Sequence, residues 1–184
     1  MITPKTSVTH PMRIDALPFG RGSIGLTFCP GKKQTNALSG IWHRDLELDL
    51  DAMAAWGCSE VITLIEPWEF DELSVHELGA SIAQRGWRWH HWPITDRDAP
   101  DDRFLARWFV EQESLRSRLR DGGRLVVHCK GGLGRAGTTA AMLLSMEHPE
   151  ETVADLIARV RATRPGAIET SAQERFLHGQ TWSR

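Results

Sequence analysis

Two short runs constrain this chain more than any other feature. Glu60–Ile65 (EVITLI) and Arg124–His128 (RLVVH) are nearly unbroken apolar, β-branched stretches of strand length. A strand with one wet face alternates apolar and polar residues. A continuous run has apolar side chains on both faces and needs cover on both, which is the condition of a strand inside a parallel sheet. Helical periodicity surrounds these runs. Asp45–Trp56 reads as a helix ending at Gly57, and Ser74–Arg85 as one with Gly86 at its end. Asp101–Arg120 reads as a long amphipathic helix, with Phe104, Leu105, Trp108, Phe109, Leu115 and Leu119 near helical spacing and Asp101 and Asp102 at its positive end. Gly134–Glu147, Glu150–Thr163 and Ser171–Leu177 are also helical, while Ser23–Cys29 and the aromatic run Trp87–Ile94 are expected strands. Strands alternating with helices predict a single α/β domain, a central mostly parallel sheet flanked by helices. Residues 1–22, punctuated by Pro4, Pro11, Pro18, Gly20 and Gly22, are expected to be an irregular lead-in to a domain over 23–184.

Composition narrows the function classes. At 184 residues the chain suits one full core. Lys+Arg 22 against Asp+Glu 24 gives a net charge of −2, without the broad basic footprint of a nucleic-acid binder. The longest weakly polar run, Ala136 to Met146, is far below the roughly 20 residues that span a bilayer, so no membrane partner is expected. Cys29, Cys58 and Cys129 are odd in number and form no C-x-x-C pair, which fits a reducing, cytoplasmic setting. A monomer is expected.

In open α/β sheets ligands bind beyond the C-terminal strand ends. That rule leads to His128-Cys129-Lys130-Gly131-Gly132-Leu133-Gly134-Arg135, where a cysteine leaves a buried strand, three glycines follow, and an arginine opens a helix. Glycines let several N–H groups turn toward one point, and such a nest at a helix N-terminus binds an oxyanion. Arg135 adds a two-pronged fork for phosphate oxygens. The same field favours the ionised form of a cysteine, normally titrating near ~8.5, and so a nucleophile aimed at the bound anion. The G-x-x-x-x-G-K-[ST] nucleotide loop is absent. Neighbours on a strand point to opposite faces, so His128 and Cys129 do not suit a shared metal, and no cofactor is expected.

Cys129-x5-Arg135 preceded by His128 resembles the signature of the cysteine-dependent protein tyrosine phosphatase superfamily. His91-Trp92-Pro93-Ile94-Thr95-Asp96 resembles that family's acid-bearing segment, and Gly166-Ala167-Ile168-Glu169-Thr170 with Gln173 its water-positioning loop. Gly25–Gly31 (GLTFCPG) and Gly131–Arg135 look most like the kinase-associated phosphatase branch of the dual-specificity group. The resemblance implies a phosphoprotein phosphatase. Cys129 attacks phosphorus, while Arg135 and the amides of Lys130, Gly131, Gly132, Leu133 and Gly134 hold the oxygens. An acid protonates the leaving oxygen, and water clears the cysteinyl-phosphate. Asp96 matches the acid's position, Asp98 is the second candidate, and Asp101 and Asp102 suit the helix start. His128, Glu169 and Gln173 are supporting residues.

Two positions depart from the family pattern. Ala136 stands where a Ser or Thr hydroxyl usually helps the sulfur leave, with Thr138 the nearest substitute, and Glu169 stands where Gln is frequent. They keep open a phosphate-binding module without turnover. Lys130 keeps open an inositol-lipid substrate, although Leu133 replaces the second lysine usual there. The chain has no tyrosine, hence no tyrosine-bearing loop to deepen the pocket, and a shallower pocket for phosphotyrosine and phosphoserine/threonine is expected. Trp42, Trp68 and Trp92 are candidates for the rim, Glu66 for a brace on Arg135, and Arg159, Arg161 and Arg164 for a basic docking surface. His90 and His91 are expected on opposite faces of a strand. Cys29 and Cys58 are expected to be small packing residues.

Overall fold

The computed structural model describes residues 3–183. In chain order the elements are β1 (Asp15–Phe19), β2 (Gly22–Thr27), β3 (Lys33–Ala37), β4 (Gly40–His43), α1 (Leu46–Trp56), β5 (Glu60–Thr63), α2 (Pro67–Glu72) and α3 (Leu78–Gln84). Then come β6 (Arg88–His91), α4 (Asp102–Arg120), β7 (Arg124–His128), α5 (Gly134–Glu147), α6 (Val153–Thr163) and α7 (Ser171–Gly179). The main sheet runs β1-β2-β7-β5-β6, parallel except for the antiparallel edge strand β1.

The apolar runs do what their pattern requires. Ile62, Leu125 and Val127 point into a core shared with Phe104, Trp108 and Leu143, while Val61 and Val126 point into a second core with Leu50, Met53 and Ile82. Helices α4 to α7 therefore cover one face of the sheet and α1 and α3 the other. Each such side chain contributes roughly 1.5–3 kcal/mol relative to exposure.

The departures have local causes. The lead-in is irregular only before Asp15: Asp15–Phe19 is a strand in register from Asp15 opposite Leu26 to Phe19 opposite Gly22. Its alternation buries Asp15, Leu17 and Phe19. Pro18 hides the pattern in the sequence but is tolerated because an edge strand has one row of N–H groups free of the ladder. The β3–β4 hairpin, polar and separate from the main sheet, carries no periodic signal. The helix expected from Ser74 starts at Leu78, because Ser74 itself is left-handed at φ 54°. The aromatic strand closes at His91. Among the described residues no helix is long and apolar enough to cross a membrane.

Candidate active site

Because β2, β7, β5 and β6 are parallel, the loops leaving their C-terminal ends share one edge. Backbone hydrogen bonds tie them together: Cys29 N–H to the Lys130 carbonyl, Leu64 N–H to that of His128, and Ile94 N–H to that of Leu64. The 129–135 loop lies at the centre. Cys129 is 3% exposed, and its Sγ accepts the Gly132 N–H at 3.2 Å. Gly132 has φ +71°, and a Cβ there would lie 2.2 Å from the Thr27 carbonyl oxygen, so only glycine fits. A Cβ on Gly131 would meet nothing within 4 Å.

His128 is fully buried, and its tautomer follows from its partners. The carbonyl facing Nδ1 can only accept, so Thr63 Oγ1, which accepts the Trp89 indole N–H at 2.9 Å, gives its own hydrogen to His128 Nε2, 2.7 Å away. Nε2 is then the acceptor. Nδ1 carries the proton and faces the Cys129 carbonyl at 3.4 Å. Burial is the main cause pushing the His128 pKa down to about 4, helped by Arg135, against the bond to Cys129. The imidazole is neutral around the loop.

Arg135 is 2% exposed, and both of its terminal nitrogens are engaged. Its Nη1 and Nη2 donate to Glu69 Oε2 and Oε1 at 2.6 and 3.0 Å, and Nη1 also donates to the Ile94 carbonyl at 3.0 Å. Nη2 lies 3.0 Å from Asp96 Oδ1. Burial opposes the charge, but the Glu69 hydrogen bonds and the negative charges around it raise the guanidinium's pKa. Glu69 was not singled out in the sequence. A signal existed: it is the third residue of a helix opened by Pro67, just past β5, and its Oε2 also accepts the N–H of Glu66, the N-cap. Glu66, a candidate brace, instead binds Arg103 at 2.8 and 3.2 Å and Thr95 Oγ1 at 3.1 Å.

Asp96 follows β6 and is 43% exposed. Asp98 caps the Ala99 N–H, and Asp101 is the N-cap of α4, accepting from Arg103 and Phe104. Glu169 Oε2 accepts the Gly134 N–H at 2.9 Å, so its carboxylate already occupies one N–H of the 129–135 loop. Gln173 is buried and committed: its Oε1 accepts from the N–H groups of Glu169 and Thr170, and its Nε2 donates to the Asp98 carbonyl. It ties the 169 segment to the segment after β6 that carries Asp96 and Asp98.

Lys130 is turned outward onto Glu72, with Nζ 2.7 and 2.9 Å from the carboxylate oxygens. The Leu133 carbonyl accepts from Gly137 and from Ile168, joining the nest to the 167–170 segment. Ala136 is fully buried, and the Thr138 hydroxyl donates to the Gly134 carbonyl within the helix rather than to Cys129. The three arginines of the basic helix end, candidates for a docking surface, face inward or pair locally. Arg164 donates to the Gly132 and Gly131 carbonyls and to Asp15, Arg161 to the Ala167 and Ile168 carbonyls and Glu174, and Arg159 to Glu151. The reason is that the chain turns back after α6, putting orphan carbonyls within reach.

Trp92 is core, edge-on to Phe104, and does not line a rim; Trp68 is exposed, and Trp42 packs on Phe28. His90 and His91 are both partly buried, His90 between Glu60 and Glu111 and His91 on the Ile65 carbonyl. Cys29 and Cys58 are buried free thiols, and burial pushes the Cys58 thiol up to about 12. One surface trio among the described residues, His148, Glu150 and Glu151, brings metal-type atoms within 4.8 Å of one another, but at the opposite end of α5 and with Glu151 taken by Arg159.

Comparison with known proteins agrees with this geometry. Residues 36–177 match a family model described as the Swiss Army Knife protein, DSP-PTPase phosphatase domain. Cyclin-dependent kinase inhibitor 3 of Sus scrofa is 30% identical over 173 residues, covering 91% of this chain and 78% of that one. The Mus musculus protein of the same name is 29% identical over 175 residues, with the same coverage. A crystal structure of kinase associated phosphatase, its catalytic-site cysteine replaced by serine, superposes with a TM-score of 0.80 at 27% identity, covering 91% of this chain and 93% of that one. The chain belongs to the DSP-PTPase family, the dual-specificity branch of the cysteine-dependent protein phosphatases.

Proposed function

We propose that this protein hydrolyses phosphomonoesters on phosphorylated tyrosine and on serine or threonine through a cysteinyl-phosphate. One observation carries the reading: the loop that gives the Gly132 N–H to the Cys129 sulfur ends on the clamped Arg135 guanidinium, which lies 3.0 Å from the Asp96 carboxylate. The substituted cysteine of the kinase associated phosphatase structure supports Cys129 as the nucleophile. The anionic sulfur forms a bond to phosphorus, the phosphorus–oxygen ester bond breaks, and Asp96 gives its proton to the departing oxygen. The loop N–H groups and Arg135 hold the equatorial oxygens throughout. Water then attacks the phosphocysteine, Asp96 takes its proton, and the sulfur leaves as an anion.

An incoming phosphate takes over the Arg135 N–H now facing Asp96 and the Gly134 N–H now held by Glu169. Both carboxylates then border the reacting group, Asp96 as the acid and Glu169 beside the water. The Lys130–Glu72 pair removes a free cation from the mouth, which supports a phosphoprotein over an inositol lipid. The names of the relatives make a kinase a candidate substrate. The buried free thiols support a cytoplasmic setting.

The test is steady hydrolysis of an aryl phosphate in the presence of a metal chelator, blocked by vanadate. Retained activity in Cys129→Ser overturns the reading. The Glu169 contact with Gly134 favours a second reading, a phosphopeptide-binding module. Phosphate release that stops at one equivalent would select it.

A further inference from the structure

The loop after β2 holds a buried cation to which the proposed reaction gives no task. Lys32 is 4% exposed. Its Nζ donates to the Lys130 carbonyl, in the nucleophile's own loop, at 3.2 Å. The rest of the ammonium faces aromatic rings, 4.7 Å from the Trp42 centroid and 5.4 Å from that of Phe28. Among the described residues no carboxylate pairs with it. Four other buried or half-buried cations around this edge each have one: Arg44 holds Asp49, Lys130 holds Glu72, Arg135 holds Glu69, and Arg164 holds Asp15. A buried ammonium without a counter-ion is costly. Ring faces and one carbonyl offset part of that cost, and a nearby anion offsets the rest.

We propose that Lys32 is a positioning residue for the phosphate chemistry: it holds the loop through the Lys130 carbonyl and serves as counter-ion to negative charge at Cys129 and at a bound oxyanion. The proposal rests on the reading of Cys129 as the nucleophile. The charged and titratable groups that act on Lys32 are Cys29 on its own loop, Cys129 and Lys130 on the nucleophile's loop, and Arg44 after β4. Burial above all, with Arg44 and Lys130, draws the Lys32 pKa down to about 8, against the two cysteines. Lys32 is charged at neutral pH and loses its proton as pH rises through about 8. A bound dianion holds that proton more tightly, so oxyanion affinity declines above that pH.

The test uses the full chain and two readouts: alkylation of Cys129 by iodoacetamide at pH 6, located by mass spectrometry, and tungstate affinity from pH 6 to 9.5 by tryptophan fluorescence. Lys32→Met is expected to slow alkylation and weaken tungstate about tenfold at pH 6–7, and to flatten the decline above pH 8. Lys32→Arg, charged throughout, is expected to keep the affinity at pH 7 and also flatten the decline. Lys33→Met, at an exposed neighbour, is expected to match the wild type. Wild-type alkylation and affinity in Lys32→Met overturn the proposal, even if that variant melts lower. If Lys32→Met does not fold, a wild-type tungstate profile flat across pH 8 overturns it. Failure of the underlying reading looks different: wild-type Cys129 would alkylate no faster than free cysteine, with no turnover.

Discussion

Glu69 grips Arg135 with both carboxylate oxygens, at 2.6 and 3.0 Å, and neither side chain reaches solvent. In the proposed reaction the pair fixes the guanidinium plane before phosphate arrives, so the fork needs no reordering on binding. Removing Glu69 leaves the buried guanidinium with only the half-exposed Asp96 carboxylate as counter-ion, and breaking a buried pair costs about 3–5 kcal/mol. Glu69→Ala is expected to lose stability of that order in urea unfolding. Glu69→Gln, which keeps shape and an acceptor, is expected to stay folded with a raised KM for aryl phosphate.

Glu169 offers a gain rather than a loss. Its carboxylate holds the Gly134 N–H in the empty site. An amide oxygen accepts the same hydrogen bond without a full charge opposing phosphate. Glu169→Gln is expected to tighten vanadate binding about five- to tenfold, measured as its inhibition constant. Unchanged or weaker inhibition would show that Glu169 does not compete for the nest.

Asp96→Asn keeps an oxygen near Arg135 but supplies no acidic proton. Turnover of an alkyl phosphate, whose leaving oxygen needs that proton, is expected to fall about 10²–10³-fold. A p-nitrophenyl ester, with a stable leaving anion, is expected to fall much less. An equal loss on both esters would move the acid to another residue, Asp98 first. The matching Asp96→Ala protein is the bait for capturing a physiological substrate.

His128 ties stability to pH. The unfolded chain protonates an imidazole near pH 6.5, whereas the folded chain does so only at about 4. Between these values the unfolded state binds more protons, so stability falls as pH drops through that window. The shift corresponds to about 3 kcal/mol once pH reaches 4. Urea unfolding at pH 7 and pH 5 is expected to show part of this loss, about 2 kcal/mol, in the wild type. The difference is expected to shrink in His128→Asn.

What was legible in the sequence follows from how local each cause is. The runs containing Val61 and Val126 announced a sheet covered on both faces because their signal is contiguous. The Cys129–Arg135 loop was legible for the same reason. Asp15–Phe19 was not, because Pro18 breaks the appearance of a strand without breaking an edge position. Glu69 reaches Arg135 from 66 positions away, through a six-residue helix too short for a periodic pattern. Arg164 was visible as part of a basic helix end. Its use as a strut on Gly131 and Gly132 depends on how α6 lies against the sheet, which local pattern does not state.

Gly131 and Gly132 are neighbours with opposite freedoms. Gly132 is pinned against the Thr27 carbonyl, while a side chain on Gly131 would enter empty space, on a backbone without positive φ. Drift under selection, or a designer's library, therefore meets one locked address and one writable one within a single peptide bond. On the proposed reading, new substrate preferences are inscribed at 131 while the anion cradle beside it is inherited unchanged.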